Sequence, residues 1–248
     1  MNTFTNKNVK KNSKTKKLAT SIAAAALLAG ASVSTQAASL DIKVTNLTHG
    51  IHYTPILIGA HSADVKLFAS GEMASSALQM MAEGGDISAL STMLTDNSAD
   101  VVANPAMGLL APTMSTETSL ETADGNMYLS VVAMMLPTND GFIGLNSWMI
   151  PTEAGTYTIM VNAYDAGTEA NDEMVNGGGA PGTPGIPAAP GMNAGTGGTG
   201  VTMTESNTYV HVHRGSLGDD DLTGGKSDLD NTVHRWLNPV AKVTVTVK

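Results

Sequence analysis

Leu40-Asp41-Ile42-Lys43-Val44-Thr45-Asn46-Leu47 alternates apolar and polar residues for most of its length, which is the signature of a strand with one buried face. The same period returns in Gly155–Tyr164, with Tyr157, Ile159 and Val161 on one side, and in Val240–Val247 near the end of the chain. Met127–Leu136 is apolar and β-prone throughout, and Asp124-Gly125 just before it is a tight-turn signal. That turn predicts a hairpin between the segment around Ser115–Thr122 and Met127–Leu136. His52–Gly59, with Pro55 inside it, reads as a strand at an edge or with a bulge, and Asn207–His213 reads as another.

The period changes between Ala74 and Leu94. Ala77, Leu78, Met80 and Met81, then Ile87, Leu90, Met93 and Leu94, recur at three and four, and Gly84-Gly85 breaks the run. Two short helices fit this pattern, inserted against the sheet edge. At least seven short strands without βαβ alternation predict an all-β fold, an antiparallel β-sandwich with a short helical insertion. Residues 176–201 are nearly all Gly, Pro, Ala, Asn and Thr, a composition that predicts a long disordered Gly/Pro-rich loop within the domain.

Residues 1–38 stand apart from the rest. Lys7, Lys10, Lys11, Lys14, Lys16 and Lys17 precede the apolar run Leu18–Gly30, and small residues follow. This is the order of a secretory signal peptide with cleavage near Ala37 or Ala38, leaving a domain over 39–248 in the periplasm or outside the cell. The leader carries six of the 13 basic residues and none of the 22 acidic ones, so the remainder has a net charge of about −15. A surface of that sign argues against nucleic acid as a partner. The chain has no cysteine, which excludes disulfides and thiolate metal sites. No segment after the leader approaches the roughly 20 apolar residues of a transmembrane span.

Two acidic runs follow strands: Leu136-Pro137-Thr138-Asn139-Asp140-Gly141-Phe142-Ile143-Gly144 and Ala163-Tyr164-Asp165-Ala166-Gly167-Thr168-Glu169-Ala170-Asn171-Asp172-Glu173. Loops at one end of a sheet bring several carboxylate oxygens together, as a hard divalent cation requires. Their bland reading is solvated loop charge, and the same holds for Asp219-Asp220-Asp221 with Asp228 and Asp230, which lack the spacing of an EF-hand loop. His211 and His213 share a strand face and suit a transition-metal pair, with ordinary strand packing as the competing reading. Trp148 and Trp236 read as packing residues. No Gly-x-Ser-x-Gly elbow, His-Glu-x-x-His helix or Walker-type loop occurs.

These runs, with Val44–Thr48, Thr54-Pro55, the stretch around Lys66-Leu67-Phe68, Gly84-Gly85-Asp86, Val212-His213-Arg214-Gly215 and Trp236–Val245, resemble the spondin N-terminal domain family across almost the whole mature chain. The resemblance implies a β-sandwich similar to a C2 domain, with calcium held in loops at one end and no catalytic activity. It places the ligands at Asp140, Asp165 and Glu169, with Asp172 and Glu173 as possible additions. Animal members commonly have Asp where this chain has Glu169, and their cysteines and thrombospondin-type repeats are missing here. The expected function is an exported calcium-binding module for adhesion or for binding a surface or matrix glycan or protein. The alternative is a secreted metal-dependent hydrolase acting on glycans or phosphate esters.

Overall fold

A computed structural model describes residues 37–192 and 194–248; the leader expected over the first 38 residues lies, apart from Ala37 and Ala38, outside them. The described chain is mostly antiparallel sheet, in the order β4 (Asp100–Ala103), β3 (Leu57–His61), β6 (Tyr128–Leu136), β7 (Gly141–Met149), β8 (Gly155–Asp165), β10 (Ala241–Val247), β1 (Ser39–Asn46), β5 (Ser115–Glu121). β2 (His52–Tyr53) adds to β6, and β9 (His211–Val212) adds to β8. The terminal strands β4 and β5 come into contact. Asp100 Oδ2, in β4, accepts from Ala123 N–H at 2.7 Å and Asn126 Nδ2 at 2.8 Å, both in the turn that follows β5. The sheet is thus a nearly closed, barrel-like sandwich, and the fold is all-β.

β6 explains why its sequence is apolar without alternation. Val131, Ala133 and Met135 face the sandwich interior beside Ile42, Val44, Tyr53, Val161 and Val243. Val132, Met134 and Leu136 face the other way, beneath helices α1 (Ser76–Gly84) and α2 (Ser88–Asp96) and beside Phe142. A strand covered on both sides has no reason to alternate. Ser75 caps α1 by accepting from Leu78 N–H at 3.1 Å, and Gly85 ends it in the left-handed conformation at φ 72°. α1 lies over β6 and β7, and α2 over β3 and the terminal strand β4.

Two strand expectations change. The stretch His52–Gly59 divides around Pro55 into β2 and the start of β3, because proline has no N–H to continue a ladder. β5 does not form a hairpin with β6. It pairs with β1 from Ser39↔Glu121 to Thr45↔Ser115, while β6 lies between β3 and β7. β5 is mostly polar and exposed and suits the outer position beside β1, whereas β6 needs cover on both faces. The turn at Asp124-Gly125 therefore carries the chain from one side of the sandwich to the other.

Among its described residues the Gly/Pro-rich stretch has no helix or strand, but it is anchored. Val175, Ile186 and Ala189 are buried in the helix-side core, and Val175 bridges Ile186. Asp228 accepts from Val175, Thr196 and Gly198 N–H groups at 2.7, 2.8 and 2.8 Å. Composition shows the glycines and prolines but not these distant anchors.

Candidate metal centre

The pairing of β7 with β8 places Gly141 opposite Asp165, so Asp140, one residue before β7, lies beside the end of β8. Ala166 N–H donates to the Asp140 carbonyl at 3.3 Å and fastens the two loops. Thr138 holds the β6–β7 turn, its hydroxyl donating to the Met135 carbonyl and accepting from Gly141 N–H. Both acidic runs therefore meet at one end of the sheet.

Asp140 is fully buried. Its Oδ2 accepts from the N–H groups of Thr168 and Glu169 at 2.9 and 3.2 Å, and its Oδ1 has no partner. Burial, the neighbouring Asp165 charge and, more weakly, Glu169 push its carboxyl well above the usual range, against the pull of those two donors. Asp165, also buried, is raised by burial and opposed first by Asn171, whose Nδ2 donates to Oδ2 at 2.8 Å. Glu169 Oε1 accepts from Gly185 N–H and from Asn139 Nδ2, while its Oε2 is buried and unpartnered. Burial, with Glu83 and Asp172 nearby, pushes Glu169 up to about 7.

Asn139 organises this end of the molecule and was not singled out by sequence. Its Nδ2 also donates to Asp172 Oδ1 at 2.7 Å, and its Oδ1 accepts from Glu173 N–H at 3.1 Å. A buried amide beside an acidic run is the signal that could have found it, since it joins carboxylates without adding charge.

The two remaining acidic candidates differ. Asp172 Oδ1 is taken by Asn139 and by Met174 N–H. Both oxygens of Glu173 are occupied: Oε1 by Leu217 N–H at 2.7 Å, Oε2 by Gly218 N–H at 2.9 Å and Ser227 Oγ at 2.7 Å. Glu173 is thus a clamp on the 217–227 loop. Asp219 likewise accepts backbone donors on both oxygens, Lys226 and Ser227 N–H on Oδ2 at 2.7 and 2.8 Å and Asp221 N–H on Oδ1 at 3.0 Å.

His211 and His213 do share a face, with Nε2 atoms 3.8 and 3.9 Å from Asp165 Oδ2. Their protonation separates them. His213 Nδ1 accepts from Gly215 N–H at 3.0 Å, so the neutral ring carries its proton on Nε2 and offers no lone pair there. Burial first, then Arg214 and His211, lower its pKa to about 3, which keeps it neutral. His211 Nδ1 faces the Tyr209 carbonyl at 2.8 Å, leaving its Nε2 lone pair free. The pair therefore presents one acceptor and one N–H, which does not suit two-histidine ligation.

Among the described residues, no group of three or more His, Asp or Glu side chains is gathered closely enough to hold a metal ion, and Asp140, Asp165 and Glu169 are not such a group. The available donors are the unpartnered oxygens of Asp140 and Glu169 and the buried carboxylate of Asp165. Calcium takes six to eight oxygens in irregular geometry, with carbonyls and water among them, so hard, buried, uncompensated oxygens of this kind fit it better than any softer ion.

The family model Spondin_N matches residues 43–175, from β1 through both acidic loops. The chain belongs to the Spondin_N family. No curated protein matches it. The Spondin_N match takes in Asp140, Asp165 and Glu169 but ends at Val175, before the Gly/Pro-rich stretch, β9 and β10. No helix among the described residues is long and apolar enough to cross a membrane.

Proposed function

We propose that this Spondin_N protein is an exported, non-catalytic binding module whose two acidic loops are fastened by a calcium ion through Asp140, Asp165 and Glu169. One observation carries the reading: Asp140 Oδ1 and Glu169 Oε2 are buried carboxylate oxygens without hydrogen-bond donors, in loops that β7 and β8 hold together. An ionised carboxylate out of water is costly unless a cation or donor compensates it, and burial has already raised all three groups. When bound, the ion supplies that missing charge. The protein's own part is positional: backbone N–H groups of Thr168 and Glu169 aim Asp140, and Asn139 aims Glu169.

The leader-like order of the first 38 residues supports the exported part of this reading. Adhesion to a surface or matrix component is the role in keeping with membership of the Spondin_N family, and the Ser130–His61 contact at 2.8 Å is buried in the sheet, out of reach of a substrate. Calorimetric titration of calcium into metal-stripped protein is the test. Binding that disappears in Asp140→Asn and Asp165→Asn supports the reading, and no heat with unchanged melting overturns it.

A further inference from the structure

Beside the proposed ion site, the end of α1, the 168–172 loop and the Gly/Pro-rich stretch enclose a cleft of about 360 Å³. Glu83, Glu169, Asp172 and Glu205 line it, with no lysine or arginine among its walls, and none of these four acids forms an ion pair among the described residues. Glu83 is preset: it accepts from Gln79 Nε2 and from Gly182 N–H, each at 2.8 Å. Glu169 is 8% exposed and its Oε2 has no partner. Met203, 67% exposed, and Pro184 give the cleft an apolar wall.

We propose that this cleft receives a lysine or arginine side chain from a partner protein, its methylene stem against Met203 and Pro184 and its charged head among the carboxylates. A bare ion would use the oxygens but leave the apolar wall without a role, whereas a long cationic side chain uses both. The cleft shares only Glu169 with the calcium reading. Neither Glu83 nor Glu205 is a ligand in the calcium reading, though Glu83 lies near Glu169 and Glu205 near Asp165. Calcium titration of the Glu83→Gln/Glu205→Gln protein beside the peptide assay therefore tells the two readings apart.

The test uses the described domain within the full chain and a fluorescein-labelled peptide of alternating lysine and serine, followed by anisotropy in EDTA and in saturating calcium. Glu83→Gln/Glu205→Gln should weaken binding about tenfold, while Glu117→Gln/Glu121→Gln on exposed β5 should change it less than about twofold. Glu205→Gln alone guards against misfolding through buried Glu83, and should still weaken binding. The Met203 methyl resonance should shift with peptide and that of exposed Met149 should not. Equal loss in both double variants, or a silent Met203, would overturn the proposal by reducing it to general charge attraction.

Discussion

Asp140 and Glu169 carry the consequences of burying carboxylates with half their lone pairs unmet. A group whose pKa is higher folded than unfolded contributes most below its unfolded value, and that contribution is lost as pH rises through its folded value. For Glu169 the window runs from its ordinary value of 4.5 to about 7. Metal-stripped protein should therefore melt lower at pH 7.5 than at pH 5, by a few degrees, and Glu169→Gln should flatten that slope in a calorimetric scan. The same carboxylates must be ionised to ligate calcium, so calcium affinity should rise across that window. A slope of opposite sign in the stripped protein would contradict the assigned burial.

At the scale of elements, two acids far along the chain stitch together segments without secondary structure. Glu173 holds Leu217, Gly218 and Ser227, so Glu173→Ala strands buried donors, at about 1–3 kcal/mol. Hydrogen exchange should quicken over 217–227 while β6 stays protected. Asp228→Ala should release Val175, Thr196 and Gly198, and limited proteolysis should then cut between 176 and 201 faster than in the parent. β6 sits at the other extreme, buried on both faces. Met134→Ala there should cost ~2–5 kcal/mol by denaturant titration.

For the whole molecule, a ligand that binds only the folded state stabilises it by mass action, about 2.7 kcal/mol at a hundredfold excess over Kd. For a domain of this size that corresponds to roughly 5–10 °C, a shift that differential scanning in calcium against EDTA would read directly. Asp140→Asn should lose most of it while keeping the fold, because the sandwich rests on the β1, β6, β8 and β10 interior rather than on the loops.

The alternation in Leu40–Leu47, Gly155–Tyr164 and Val240–Val247, the helical spacing around Leu78 and Leu90, and the family resemblance determined by themselves an all-β chain with a helical insertion and acids after two strands. Periodicity is a local property of the chain, and it reports which face of each strand is covered. Which strand covers it is a non-local matter: β5 beside β1 rather than β6 follows from exposure across the whole sheet, not from the turn at Asp124-Gly125. Tertiary structure alone decided that Glu173 is consumed by two backbone N–H groups and the Ser227 hydroxyl while Asp140 and Glu169 each keep a free oxygen, since the Glu173 donors come from residues 44 to 54 positions away.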